Sequence, residues 1–222
     1  MNKITVVGTF HTETGACTYE ELLKIIQKIS PKVIFCEVSP EEFPAMLASE
    51  NASAPEIKAL RVLIKNCSMV NVIPIDLLDR DPSLDSRLDA MFDSFINSSR
   101  EYLCAIEIHA HEIQEKGFPY LNGDDSDQIF RDKHSMQMIF VSKSNHLQLS
   151  KTHNDWLELN DKRENHWIKL IHEYFKGTEN LTAVFLVGAG HRERLKEKVP
   201  NYQAENQIIL DWDFNPFNHI FK

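Results

Sequence analysis

VFLVGAGH, residues 184–191, runs from a short apolar stretch into a glycine and, three residues later, a histidine. ITVVGTFH, residues 4–11, ends in the same way, so the chain carries the pattern V-G-x-x-H twice. Short apolar runs that end at a glycine are typical of buried strands. We therefore predict that both stretches are strands of one sheet, and that they place His11 and His191 side by side at its edge.

The rest of the sheet is read from the same kind of pattern. Buried strands are predicted at 32–38 (KVIFCEV) and 70–76 (VNVIPID), and QIIL at 207–210 is predicted to add a short last strand. Helical patterns separate the first three strands: a capping box at Thr18–Glu21, a helix opened by Ser39-Pro40, and a helix at 55–66. Alternating strands and helices are typical of a parallel sheet.

From 83 to 178 the pattern predicts helices without a strand, interrupted by a polar loop at 117–127. The expected fold is a single α/β domain over residues 1–222. Its central, mainly parallel sheet is built from both ends of the chain. A helical insertion at 83–178 either covers the carboxyl edge of the sheet as a lid or forms a small subdomain.

Composition narrows the function classes. The chain is 42% hydrophobic with a net charge of −9, which disfavours nucleic-acid binding through phosphate neutralisation. No signal peptide and no membrane span are predicted, so a cytoplasmic location is expected.

The cysteines show no CxxC pairing, and reduced thiols are expected. They are Cys17, Cys36, Cys67 and Cys104. A local basic patch remains open at Arg192, Arg194, Lys196 and Lys198.

Each predicted buried strand delivers a polar residue at its carboxyl end, where parallel sheets bind ligands. These residues are His11, Glu37, Asp76 and His191. A buried Glu37 is costly unless it is coordinated, paired with an arginine or used to cap a helix, and burial is expected to raise its pKa. Two histidines with one or two carboxylates form a nitrogen and oxygen donor set for a divalent ion such as Mn, Co, Zn or Fe.

Other chemistry-bearing patterns are weaker. His109 and His111 have a spacing of two residues, which splays side chains on a helix, and both are predicted to lie on a solvated face. The sequence has no GxSxG elbow, no Walker A lysine motif and no GxGxxG after its first strand.

The motifs GTFH, VIFCEVSPEEF and GAGH, with an aspartate ending the third strand, resemble the TraB/TIKI family. That family belongs to a superfamily with the erythromycin esterases and ChaN-like proteins, and its hallmark is two GxxH motifs with an intervening glutamate. Residues 163–167 are similar to the family's Arg-x-x-x-Met helix, with Trp167 in place of methionine. The resemblance covers about 1–80 and 155–200.

The resemblance implies a divalent-metal-dependent hydrolase that acts on a peptide or small-molecule ester or amide. His11 and His191 would bind the ion, and Glu37 would be the third ligand or general base. Asp76 would orient a histidine or complete the site, and Arg163 would stabilise an oxyanion or bind a substrate carboxylate. Because ChaN-like members are linked to haem or iron, a non-catalytic protein that binds haem, iron or a peptide is the alternative. A purely structural α/β domain is the third interpretation.

Overall fold

The structure is a computed structural model that describes residues 1–49, 52–66, 69–77 and 82–220. Its strands are β1 (Lys3–Thr9), β2 (Val33–Cys36), β3 (Asn71–Pro74), β4 (Thr182–Gly188) and β5 (Asp211–Asp213). They form one parallel sheet in the order β3-β2-β4-β1-β5. The predicted α/β class, and a sheet assembled from both ends of the chain, are confirmed.

The two V-G-x-x-H strands are neighbours at the centre of this sheet. They pair in parallel from Lys3 and Thr182 to Thr9 and Gly188. Both strands are buried over nearly their whole length, as expected for central parallel strands whose two faces are covered by helices. Because their carboxyl ends coincide, the histidine that follows each strand emerges at the same edge of the sheet.

The helices surround the sheet and form a separate block between β3 and β4. They are α1 (Tyr19–Ile29), α2 (Phe43–Ala48), α3 (Pro55–Asn66), α4 (Pro82–Ser98), α5 (Arg100–Lys116), α6 (Phe118–Leu121), α7 (Asp124–Ser144), α8 (Leu147–Tyr174) and α9 (Arg192–Asn206). The amide of Glu21 donates to the Thr18 hydroxyl at the start of α1, as the capping motif predicts.

Three apolar clusters hold these layers together. One face of the sheet packs against α1, α3 and α6, and the other packs against the carboxyl half of α8 and α9. The helical block from α4 to α8 has its own smaller cluster around Met91, Phe95 and Tyr102. The predicted helical insertion is therefore present and carries a core of its own.

Some predicted elements are wrong in detail. Residues 117–127 contain α6 and the start of α7 instead of a loop, because Phe118 and Leu121 are buried in the core next to the sheet. The last strand is β5, not 207–210, since Ile209 is 77% exposed and pairing with β1 begins at Asp211. The second helix begins at Phe43, after a turn at 40–42.

His109 also contradicts its prediction. Its side chain is buried rather than solvated, and Nδ1 lies 2.9 Å from the hydroxyl of Tyr120. His111 is exposed, as predicted. Cys17, Cys36 and Cys104 are free thiols, whereas Cys67 lies outside the described residues. No helix in the described ranges is long and apolar enough to cross a membrane.

The local basic patch is not a free patch, because buried carboxylates pair with all of its side chains. Asp127 contacts two of them and Glu164 contacts the other two, and both carboxylates are almost fully buried. The four residues are Arg192, Arg194, Lys196 and Lys198. The positive charges of these four side chains are therefore neutralised by ion pairs within the protein.

Candidate active site at the carboxyl edge of the sheet

Glu37 is the centre of the site. It follows β2, and its carboxylate accepts a hydrogen bond from the Gly188 amide at 2.6 Å and from Arg163 Nη2 at 2.5 Å. Nε2 of His191 lies 3.6 Å from Glu37 Oε1. Residues that follow β2 and β4 and a residue of α8 therefore meet at one carboxylate. The strand pattern predicts this for Glu37 and His191, and the resemblance leads us to expect it for Arg163.

The charge state of Glu37 differs from the expectation. Burial opposes ionisation of this carboxyl, but the charges of His191, Arg163 and His11, with the Gly188 amide, outweigh it and lower the pKa below its usual value. The predicted rise in pKa is wrong because burial is accompanied by cationic partners. An ionised Glu37 is a weak proton acceptor and a good anchor for positive charge.

His11 is oriented by a glutamate that sequence reasoning missed. Its Nδ1 lies 2.9 Å from Oε1 of Glu56, a nearly buried residue of α3 that also accepts from the Thr9 hydroxyl. The hydrogen bond to Glu56 is the main reason why the pKa of His11 rises to about 9. The imidazole ring is therefore in its charged, doubly protonated form at neutral pH, and its Nδ1–H donates a hydrogen bond to Glu56.

His191 has an equivalent partner. Its Nδ1 lies 2.8 Å from Oε1 of Glu164, whose side chain is fully buried in α8. Burial opposes ionisation of Glu164, but His191, Lys198 and Arg194 outweigh it and lower the pKa. Because an ionised carboxylate can only accept, His191 Nδ1 carries the hydrogen and Nε2 faces Glu37. No motif marked either Glu56 or Glu164; only their burial next to a histidine identifies them.

Asp76 belongs to the site but contacts Arg163, not a histidine. Arg163 donates to it from Nε at 2.9 Å and from Nη2 at 2.8 Å, and Trp167 Nε1 donates at 3.0 Å. In the structure Asp76 thus holds the guanidinium of Arg163, and its role as a metal ligand stays a prediction. The indole of Trp167 thus helps to fix the Asp76 carboxylate that holds the guanidinium.

The two motif glycines are needed because other atoms of the protein approach them closely, and not because the backbone makes a left-handed turn there. A Cβ on Gly188 would lie 3.0 Å from His11 Nε2 and 3.3 Å from Glu37 Oε2. A Cβ on Gly8 would lie 2.5 Å from Cδ of Arg192 and would meet Ala189. Neither glycine has a positive φ. Gly188 therefore makes room for the site, whereas Gly8 makes room for a buried arginine behind it.

A cleft of about 960 Å³ opens above these residues, between the sheet edge and the helical block. Its polar floor includes His11, Glu37, Arg163 and His191. The helical block contributes apolar side chains from α4, α5 and α8 and mainly polar side chains from α7. The apolar side chains include Leu88, Phe92, Ile96, Ile106 and Trp156.

The donor chemistry of the floor suits a divalent ion that prefers nitrogen and oxygen ligands. His11 and His191 each have Nδ1 on a buried carboxylate, the arrangement that orients metal-binding histidines. Within the described ranges, however, no three His, Cys, Asp or Glu side chains are grouped closely enough to hold an ion as they stand. His11 would also have to release its proton.

No protein-family model, no curated protein and no solved structure matches this chain, so the site is argued from its own residues.

Proposed function

We propose that this chain is a hydrolase of amide or ester bonds whose site consists of His11, Glu37, Arg163 and His191. The observation that carries the proposal is the pair of histidines, each oriented by a buried glutamate, beside one ionised carboxylate at the floor of the cleft. Such orientation is what a histidine needs in order to bind a metal ion or move a proton at a defined position.

A divalent ion held by His11, His191 and Glu37 would polarise the substrate carbonyl and lower the pKa of an attacking water. The chain's own groups supply the rest. Glu56 and Glu164 keep the two histidines in place. Arg163 sets a buried positive charge at the floor, where it would stabilise the negative charge that develops on a carbonyl oxygen. Asp76 and Trp167 fix Arg163 in that position.

The first experiment measures metal content by mass spectrometry after reconstitution with Mn, Co, Zn and Fe. The wild type is compared with a His11→Ala/His191→Ala double variant and with His111→Ala, which removes an exposed histidine from α5. We expect near-stoichiometric metal in the wild type and in His111→Ala, and loss in the double variant. Equal, negligible metal in all three proteins would remove the ion from the proposal.

The second experiment tests the reaction with chromogenic esters and with peptide amides on the same variants. We expect turnover in the wild type and His111→Ala, and none in His11→Ala, His191→Ala or Glu37→Gln. Wild-type turnover in any of the site variants would refute the assignment. Stoichiometric haem binding with a Soret band and no hydrolysis would favour the non-catalytic alternative.

A further inference from the structure

One cation of the cleft has no carboxylate partner. The lysine and arginine side chains that line the cleft are Arg131, Lys133, Arg163, Arg194 and Lys198. All except Lys133 contact an Asp or Glu at short distance. Lys133 contacts none within the described part of the chain. Lys133, on α7, is therefore the one of these five cations that has no carboxylate partner among the described residues.

Lys133 lies close to the histidine motif. Its Nζ is 4.7 Å from the centre of the Phe130 ring, and that ring packs against Gly190, where a Cβ would lie 3.1 Å from Phe130 Cε1. Gly190 immediately precedes His191. The side chain is half-buried, and burial lowers the pKa of its ammonium group. The aromatic ring offsets only part of the cost of placing a cation there.

Gln137 supplies a second, independent sign of a ligand. It lies four residues after Lys133 on α7, so both side chains are on the same face of the helix, and both line the cleft. Gln137 is only 4% exposed; its Nε2 donates to the Tyr102 hydroxyl at 2.8 Å. Its Oε1 is buried and accepts no hydrogen bond from any described residue. A buried acceptor without a donor is costly unless a ligand supplies one.

The wall beside this pair is apolar. Phe92 and Trp156 meet edge to face, with ring centres 5.6 Å apart, and both line the cleft. The cleft thus offers a cation, a hydrogen-bond acceptor and an aromatic wall next to a floor of acid–base groups. A matching ligand has a carboxylate, an N–H group and an apolar chain.

We propose that the cleft takes N-acyl amino acids, with the carboxylate on Lys133, the amide N–H donating to Gln137 and the acyl chain against Phe92 and Trp156. The binding of this ligand is argued from the cleft alone, and only its hydrolysis rests on the proposed function. In that reaction the amide C–N bond breaks, the water oxygen bonds to the carbonyl carbon, and the amine leaves with a proton from water. The products are a fatty acid and an amino acid.

The test is a calorimetric titration with N-octanoylglycine and with its neutral analogue N-octanoylglycinamide, without added metal so that hydrolysis does not interfere. We expect the wild type to bind the acid at least about tenfold more tightly than the amide, as a charge-assisted hydrogen bond predicts. Lys133→Met should abolish this preference, and Lys133→Arg should keep it. Lys143→Met removes an exposed lysine from the same helix and should leave the preference unchanged.

Equal affinity for acid and amide in the wild type, or a preference that survives in Lys133→Met, would overturn the inference. Circular dichroism melting confirms that each variant is folded. If the wild type hydrolyses neutral esters but shows no preference for the acid, this inference fails and the proposed function stands. If the preference depends on Lys133 but no substrate is turned over, the proposed function fails and the binding site stands.

Discussion

Nδ1 of His191 lies 2.8 Å from Oε1 of Glu164, and that glutamate side chain is fully buried. In the other motif, Nδ1 of His11 lies 2.9 Å from Oε1 of Glu56. The two V-G-x-x-H motifs thus share more than spacing, because each histidine is tied through the same ring nitrogen to a glutamate on a separate helix. This leaves Nε2 of each ring for the chemistry of the site.

Replacing Glu164 with glutamine should reduce metal affinity or turnover by about 10–100-fold, because it removes the carboxylate that orients His191. Stability should fall as well, since Arg194 and Lys198 also contact Glu164. Metal content, steady-state kinetics and thermal melting measure the three effects. Glu158→Gln, on the exposed face of the same helix, is the control and should behave like the wild type. Unchanged metal affinity and turnover in Glu164→Gln would show that this contact does not serve the site.

Glu56→Gln should lower the pKa of His11 from about 9 toward 6.5, since the hydrogen bond to Glu56 is its largest cause. NMR titration of the metal-free protein reports the pKa directly. Because the pKa of His11 is raised in the folded state, the contact contributes its full stabilisation below pH 6.5. This stabilisation is lost as the pH rises through 9. Because the His11 side chain is 60% exposed, water screens this contribution and we expect it to be small. A His11 pKa that stays near 9 in the variant would contradict the prediction.

Gly188→Ala should leave the protein folded and reduce turnover by about tenfold, because the added methyl group would displace His11 or Glu37 by a few tenths of an ångström. Gly8→Ala is the matched change in the other motif. There the methyl group meets Arg192 and the backbone of Ala189, so we expect it to lower the melting temperature instead. Kinetics and melting curves of both variants, side by side, check the division of roles. Equal losses of turnover without any loss of stability would refute it.

Arg163→Ala should lower the free energy of unfolding by about 3–5 kcal/mol, because it leaves Asp76 buried without its cation and removes the guanidinium bonded to Glu37. Arg87→Ala removes an arginine whose ion pair with Asp155 is about one-third exposed, and it should cost less than about 1 kcal/mol. Urea unfolding of both variants at neutral pH measures the difference. A cost for Arg163→Ala no larger than that for Arg87→Ala would mean that the buried cluster does not hold the fold.

The central strands and the edge they share are readable from sequence because a short apolar run ended by glycine has few other interpretations. The strands predicted within ITVVGTFH and VFLVGAGH are found as β1 (Lys3–Thr9) and β4 (Thr182–Gly188). The meeting of Glu37 and His191 follows, because it depends on strand ends that converge in any parallel sheet. Arg163 lies on α8, and its place beside Glu37 was expected only from the resemblance.

Glu56, Glu164 and Lys133 could not be found in this way. Each lies on a helix, where an isolated charged residue is normally taken to face solvent. Their burial depends on which side of α3, α7 or α8 faces the sheet edge, and that is set by tertiary packing. The same reason explains the error at 117–127, where turn-forming residues flank the buried Phe118 and Leu121.

His109 provides a pH test of burial. Burial, with a smaller contribution from the charge of Lys133, lowers its pKa from 6.5 to about 4. Because the pKa of His109 is lowered in the folded state, its neutral ring contributes its full stabilisation above pH 6.5, and this is lost as the pH falls toward 4. At pH 4.5 the free energy of unfolding should have decreased by about 2–3 kcal/mol for this reason. His109→Gln cannot titrate, so between pH 7 and 4.5 its free energy of unfolding should fall by that much less than the wild-type value. His111→Gln, exposed two residues away, should follow the wild type. Urea unfolding at both pH values measures these changes. An identical decrease in the free energy of unfolding in all three proteins would show that His109 is protonated as readily in the folded protein as in water.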